Sequence, residues 1–187
     1  MPIDFEEVHR RFDGMLLNLC RKCGGFCEKN YLSVFLPGET EYMAHKIKMG
    51  KNAFIKKYAT TVKKSGRQIH VLKIGLCPFL DQKYRCRLEK INAKPLSCLF
   101  YPIYLSLEGN QKKVYLDKWG CPMADRFSRS YTNKARELLK ELKKDIPDWW
   151  FKFLREFDDD YYDYGKLHTL RGNSVVSPRE LKKCVRS

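Results

Sequence analysis

Apolar residues recur every three or four positions across residues 3–19 and again across residues 135–146, with charged residues between them. This spacing predicts an amphipathic helix in each range. Pro147 then opens a further helix, whose apolar face is formed by Trp150, Phe153, Leu154 and Phe157. The sequence therefore predicts an N-terminal helix and a C-terminal helical pair, with the Trp149-Trp150-Phe151 group packed in the core.

The middle of the chain has shorter patterns. Turn residues stand at Pro37-Gly38 and Gly109-Asn110, and the runs between such signals are rich in β-branched and aromatic residues. We expect strands at 31–36 and 68–74, a short helix at 39–48, and a β-hairpin formed by 102–107 and 113–116. The mixture indicates an α+β fold.

The cysteines follow an uneven pattern. Seven of the eight lie between residues 20 and 121, and only Cys184 stands apart, in the basic C-terminal tail. The seven form two groups and a single residue: Cys20-x2-Cys23-x3-Cys27, then Cys77-x8-Cys86-x11-Cys98, then Cys121. Thiolates are soft ligands that suit zinc, copper(I) and iron–sulfur clusters.

The compartment decides how these cysteines are interpreted. Residues 1–7 are acidic and amphipathic, without the apolar region of a signal peptide, and no apolar run has the length of a membrane span. We therefore expect a cytoplasmic protein without a membrane span. In a reducing compartment this number of cysteines indicates metal binding rather than disulfides.

Seven thiolates exceed one tetrahedral site. Four could hold a [4Fe–4S] cluster while three bind something else, or two metals could share the set. The sequence predicts an iron–sulfur cluster or zinc and leaves the choice open. It also predicts a small loop-rich α+β domain organised by this centre at residues 1–124. Residues 125–187 are then a helical extension packed on that domain, ending in the basic tail.

Three segments of the cysteine-rich part resemble a known family. They are CRKCGGFC at 20–27, CPFLD at 77–81 followed by Cys86, and KPLSCLFYP at 94–102. Together they resemble the bacterial and archaeal cysteine-cluster proteins of the YkgJ type, which are described as zinc- or iron-chelating domains. Flagellin lysine methylases carry a related cysteine pattern. The resemblance covers about residues 16–122.

This resemblance implies metal binding through a defined set of ligands, which are Cys20, Cys23, Cys27, Cys77, Cys86, Cys98 and Cys121. It implies no particular substrate. The chain departs from the family pattern where Phe26-Cys27 replaces a pair of cysteines and where Lys94 replaces the usual arginine.

The chain is basic, with a formal net charge of +15. No acidic residue occurs between Glu41 and Asp81, a stretch with nine cations: Lys46, Lys48, Lys51, Lys56, Lys57, Lys63, Lys64, Arg67 and Lys73. Such a segment is a solvated face or a surface for an acidic protein or nucleic acid.

Three functions are compatible with these patterns. The first is a metal-binding accessory module whose basic 42–80 segment faces an acidic partner. The second is an enzyme that uses the metal for redox chemistry or protein modification, as lysine methylases would suggest. The third is nucleic-acid binding through the basic segment. None of the four histidines shows a ligand spacing with another, so each is expected to be an ordinary surface or core residue. His70, near Cys77, ranks first among them as an additional ligand.

Overall fold

The computed structural model describes residues 2–12, 33–64, 66–72, 77–82, 85–117, 121 and 123–161, with the backbone alone at residues 64 and 156–161. Six α-helices and two antiparallel β-hairpins make up most of this part of the chain. The structure confirms the predicted α+β class.

The N-terminal half begins with helix α1 (Phe5–Arg11), whose N-terminus is capped by Asp4: the carboxylate accepts a hydrogen bond from the Glu7 N–H at 3.0 Å. A turn with Gly38 at φ +85° leads into α2 (Glu39–Lys46), since glycine tolerates positive φ. Helix α3 (Lys51–Tyr58) follows directly.

The first hairpin pairs β1 (Ala59–Lys64) with β2 (Arg67–Leu72), with Thr61 opposite His70 in the register. Val34 adds one antiparallel bridge to Val71 of β2. The predicted strand at 31–36 is therefore reduced to a single bridge within the described residues, and residues 31 and 32 lie outside them. The predicted strand at 68–74 is present over its described part, as far as Leu72, and residues 73 and 74 lie outside the described residues.

The second half contains two 3₁₀ turns, at Glu89–Ile91 and Ala124–Arg126, and a short helix α4 (Leu96–Phe100). The second hairpin joins β3 (Ile103–Glu108) to β4 (Gln111–Leu116) through Gly109, at φ +59°. Helices α5 (Arg129–Leu142) and α6 (Asp148–Tyr161) end the described part. The predicted hairpin and the two predicted C-terminal helices are present.

Two hydrophobic clusters hold these elements together. The first cluster combines α1, α4, β3, α5 and α6, and its buried side chains include Phe12, Phe100 and Leu138. The second cluster lies around α2 and α3 and includes Met43, Phe54 and Phe79. The β1–β2 hairpin joins them, because Ile69 and Val71 belong to the first cluster and Ala59 and Leu72 to the second.

The tryptophan group is part of the first cluster, as predicted. Trp150 and Phe151 are buried, and the Trp150 indole N–H donates to the Phe35 carbonyl at 3.2 Å. A buried tryptophan usually has a hydrogen-bond partner for its indole N–H, as Trp150 has here. The apolar face of α6 is therefore a surface that packs in the core. None of the described helices is long and apolar enough to cross a membrane.

Candidate metal centre

Cys98 lies on helix α4, which begins after Pro95. The Pro95 carbonyl accepts hydrogen bonds from the N–H groups of Cys98 and Leu99 at 2.9 and 2.8 Å. Leu96, Leu99 and Phe100 are buried, while the Cys98 side chain is half-buried. The helix thus packs its leucines and phenylalanine into the first cluster and leaves the cysteine partly accessible.

Glu39 fixes the start of this helix. Its carboxylate is 1% exposed and accepts hydrogen bonds from the N–H groups of Leu96 at 2.6 Å and Leu36 at 2.8 Å. Burial raises the pKa of Glu39 to about 7, although the two N–H donors favour the charged form. One buried carboxyl group therefore connects α2, the chain before it and the cysteine helix.

The far end of α4 is held by Tyr131 of α5. The Tyr131 hydroxyl lies 3.4 Å from the carbonyl oxygens of Leu99, Phe100 and Tyr101. Carbonyls at a helix end have no partner within the helix, so this buried hydroxyl offers them a donor. Both ends of the short helix are thus fixed by side chains from elsewhere in the chain.

Residues 13–32, which carry Cys20, Cys23 and Cys27, lie outside the described residues, but both flanks of this segment contact α4. On the N-terminal side, the Phe12 ring packs against Phe100, with ring centroids 5.0 Å apart. On the C-terminal side, the hydroxyl oxygens of Ser33 and Ser97 are 2.7 Å apart. The chain therefore enters and leaves the cysteine segment at the helix that carries Cys98.

Cys77 and Cys86 lie on the two arms of one turn. Leu80 pairs with Cys86 in an antiparallel bridge, and the Leu80 N–H donates to the Cys77 carbonyl at 3.2 Å. Both cysteines are half-buried and pack against the second cluster. That cluster also contains Ala93, five positions before Cys98 in the sequence.

Cys121 is buried, with 7% of its surface exposed. It lies five residues after the end of β4. Directly after β4, the Asp117 N–H donates to the Pro102 carbonyl at 2.8 Å, and the Asp117 carboxylate accepts from the Tyr101 hydroxyl at 3.0 Å. Since Tyr101 directly follows α4, the chain that leads to Cys121 starts at the C-terminal end of the cysteine helix.

Four of the seven predicted ligands are therefore placed: Cys77, Cys86, Cys98 and Cys121. No disulfide joins any two of these four. Across the described ranges, however, no three side chains among His, Cys, Asp and Glu form a group that could hold a metal ion. A metal centre therefore needs donors from outside the described residues, and residues 13–32 carry three of the predicted ones.

Two of the histidines, His70 and His9, contact side chains other than the cysteines. His70 lies on β2, where its Nδ1 is 3.0 Å from the Thr61 hydroxyl, and burial lowers its pKa. His9 is buried and stacks on the Tyr42 ring, with centroids 5.7 Å apart.

Two buried charged residues frame α4, and sequence reasoning gave neither a structural role. Glu39 is one of two acidic residues in the first turn of α2, a common position for carboxylates, so nothing in the pattern distinguishes it from exposed Glu41. Lys94 is 3% exposed and lies two positions before Leu96. The KPLSC segment is thus buried at its lysine and partly accessible at its cysteine.

No protein-family model matches the chain, and neither a curated protein nor a solved structure shows significant similarity to it. The resemblance to the YkgJ-type proteins accordingly rests on the cysteine-rich segments alone and stays a prediction.

Proposed function

We propose that this chain is a metal-binding cysteine-cluster protein that acts as a binding or accessory module. The proposed donors are Cys20, Cys23 and Cys27 together with Cys77, Cys86, Cys98 and Cys121. The bound group is an iron–sulfur cluster or zinc. An iron–sulfur cluster would supply one-electron chemistry, and zinc with four protein ligands would supply folding free energy.

The observation that carries this proposal is the position of the flanks of the cysteine segment. Phe12 and Ser33 both contact α4, so the two ends of residues 13–32 lie at one short helix. Because its two ends lie at the same helix, this segment starts and finishes close to Cys98, which supports the proposal that its cysteines join Cys98 at one site. Three thiols delivered there would complete a donor set that the described cysteines alone do not form.

The second support is the chemistry of the donors. Cys77 and Cys86 are half-buried on one turn, and Cys121 is buried. A thiol that coordinates a metal is deprotonated, and the metal cation would balance the charge of the thiolates that bind it. Partial burial also limits solvent access, which influences the redox potential of a cluster or the exchange of a zinc ion.

Purification without exposure to air, followed by elemental analysis and a visible spectrum, tests the proposal. We expect stoichiometric iron with sulfide, or zinc, in the native protein. Cys98→Ser should lose most of the metal, and Cys184→Ser, the matched control, should retain it. Native protein without metal, or Cys98→Ser protein with full metal content, would contradict the proposal.

The same spectrum separates a structural module from a redox enzyme. Visible charge-transfer absorbance indicates an iron–sulfur cluster and favours the enzyme alternative, including protein modification of the lysine-methylase kind. A colourless protein with zinc and four protein ligands favours the structural module, since catalytic zinc sites keep an open position.

A further inference from the structure

Strand β1 lies at the edge of the first hairpin, whose other strand, β2, is paired on both sides. The Phe35 N–H donates to the His70 carbonyl at 2.9 Å, and the Leu72 N–H donates to the Ser33 carbonyl at 2.8 Å. These two bonds join β2 to the chain that precedes α2. Within the described ranges, β1 by contrast pairs with β2 and with no other strand.

The hydrogen bonds of β2 show which backbone groups of β1 point outwards. In an antiparallel ladder, residues directly opposite each other alternate between hydrogen-bonded and non-hydrogen-bonded pairs. His70 and Leu72 use their backbone groups on the side of β2 that faces away from β1, so Thr61 and Ala59, which lie opposite them, belong to non-hydrogen-bonded pairs. Lys63 follows by the same alternation. The N–H and C=O groups of these three β1 residues therefore point away from β2.

Two residues form the accessible part of this edge. The Ala59 N–H donates to the Ile55 carbonyl of α3, so the helix closes the edge at the first residue of β1. Thr61 and Lys63 are exposed. The Thr61 hydroxyl lies 3.0 Å from His70 Nδ1 across the hairpin, as the close side chains of a non-hydrogen-bonded pair allow. We refer to Thr61 and Lys63, with their two outward N–H and two outward C=O groups, as the open edge.

The two faces of β1 beside the open edge differ in chemistry. Val62 lies opposite Ile69 and packs against the first cluster. Lys63 lies on the other face, opposite Gln68, and is exposed. Because alternate residues of a strand point to opposite faces, a strand added at the open edge would place apolar side chains beside Val62 and polar ones beside Lys63.

The charge of Lys63 selects among the strands that could pair here. Lysine on an edge strand opposes pairing with further copies of the same chain, and a second copy would bring another formal charge of +15 to this edge. No acidic residue between Glu41 and Asp81 offsets the cation within its own segment. Cross-strand pairs of opposite charge are stabilising and pairs of like charge are destabilising, so an acidic strand is the complementary one.

We propose that the open edge binds an extended acidic segment of a partner protein, which adds a strand to the first hairpin. Main-chain hydrogen bonds provide the affinity of such a complex, and alternate side chains provide its specificity. The segment carries acidic residues on the Lys63 face and apolar residues on the Val62 face. This inference rests on the accessory-module part of the proposed function and not on the bound metal, because no residue of β1 is a proposed ligand.

Amide hydrogen exchange of the full-length protein, followed by NMR, tests the proposal. The probe is an acetylated and amidated hexapeptide of alternating glutamate and valine. The control peptide has the same side chains but is N-methylated at its glutamates, which lie opposite Thr61 and Lys63, so it cannot donate hydrogen bonds there. Thr61→Pro removes one outward N–H, which an edge strand tolerates where that N–H faces solvent. Thr61→Ala, its control, keeps the N–H.

In the free protein, the amides of Thr61 and Lys63 should exchange faster than those of Thr60 and Val62, which are bonded to β2. Saturating hexapeptide should slow exchange at Thr61 and Lys63 by at least about tenfold. Thr61→Pro should weaken binding of the hexapeptide by about five- to tenfold, the equivalent of one backbone hydrogen bond, and Thr61→Ala should bind like the native protein. Lys63→Gln should weaken binding and reduce its dependence on salt.

The proposal is overturned if the hexapeptide leaves exchange at Thr61 and Lys63 unchanged, or if the N-methylated peptide protects them equally. It is also overturned if both amides are already protected in the free protein. Protection that decreases on dilution would assign the edge to a second copy, and protection independent of concentration would assign it to another segment of this chain. The comparison of the two peptides needs no altered protein, so it decides the question even if Thr61→Pro does not fold.

The metal content of the same samples is measured separately. Peptide binding without metal would contradict the metal-binding proposal alone, and full metal content without peptide binding would contradict the open-edge proposal alone.

Discussion

The Glu39 carboxylate accepts a hydrogen bond from the backbone N–H of Leu96 at 2.6 Å, across 57 positions of the chain. The same group accepts a second bond from Leu36, three residues beyond Ser33. One buried side chain therefore sets the distance between the chain that leaves the cysteine segment and the helix that carries Cys98.

Glu39→Gln should destabilise the folded protein. A glutamine amide can accept one of the two N–H bonds but presents a donor to the other, which leaves a buried N–H without an acceptor. At about pH 5.5, where the native carboxyl group is largely protonated, we expect a loss of about 1–3 kcal/mol in the free energy of unfolding, measured with urea.

Glu41→Gln is the matched control, because Glu41 lies on the same helix but is exposed. Its loss of free energy should be the smaller of the two, since exposed ion pairs contribute little. Equal stability of the Glu39→Gln and native proteins at this pH would contradict the role assigned to the buried carboxyl group.

The difference between native and Glu39→Gln proteins should depend on pH. Burial raises the pKa of Glu39 from 4.5 to about 7, so the folded state binds the proton more tightly than the unfolded chain. The stabilisation from this proton is complete below the unfolded pKa and is lost as pH rises through the folded pKa, amounting to about 3 kcal/mol in total.

Urea unfolding of both proteins between about pH 5.5 and pH 8 measures this effect, and titrations common to both cancel in the difference. The native protein should lose its advantage over Glu39→Gln as pH rises. A constant advantage would show that the carboxyl group is ionised throughout this range, and either a constant or an increasing advantage would contradict the raised pKa of Glu39.

Ser33 and Ser97 should be energetically coupled through the hydrogen bond between their hydroxyl groups. Their hydroxyl oxygens are 2.7 Å apart in a partly buried position, which is the usual distance of a hydrogen bond between two hydroxyl groups. In a double-mutant cycle with Ser33→Ala and Ser97→Ala, we expect a coupling free energy of about 0.5–1.5 kcal/mol. Additive effects of the two substitutions would mean that this flank of the cysteine segment is not held at α4.

Lys112 should stabilise the junction of α5 and α6. Its ammonium donates to the carbonyls of Lys143 at 3.0 Å and Ile146 at 2.6 Å and lies 2.7 Å from the Asp148 carboxylate. A cation at a helix C-terminus satisfies carbonyls that lack partners within the helix.

We expect Lys112→Met to lower the free energy of unfolding by about 1–2 kcal/mol. The neighbouring Lys113→Met, which removes an exposed lysine, is the control and should change stability little. Thermal unfolding followed by circular dichroism compares them. A larger loss for Lys113→Met would contradict the assigned role of Lys112.

Elements with a clear apolar period could be predicted from the sequence, and elements without one could not. Helix α5 buries Leu138, Leu139 and Leu142 on one face, and this pattern is visible in the sequence. Helix α3 buries only Phe54, so its sequence has no apolar face from which a helix could be predicted. The helix is stabilised by tertiary packing of Phe54 against Phe35, with ring centroids 6.1 Å apart. Within the helix, Phe54 also packs against Tyr58, four positions on, at 5.5 Å. Strand β1 was missed beside it.

The candidate site likewise has one part that could be predicted from the sequence and another that could not. The resemblance to the YkgJ-type proteins implies a set of cysteine donors, which stays a prediction. Contacts such as Ser33 with Ser97, by contrast, join residues 64 positions apart. No local pattern encodes such a contact. Glu39 was missed for a related reason, since its burial results from packing between α2 and α4 rather than from its position in a helix.

X-ray absorption at the metal edge of protein purified without air tests the central claim most directly, because it counts the atoms bound to the metal. We predict a first shell dominated by sulfur at about 2.3 Å, and loss of that shell in Cys98→Ser protein. A first shell made only of nitrogen and oxygen, or protein without a stoichiometric metal, would contradict convergence of these cysteines on one centre.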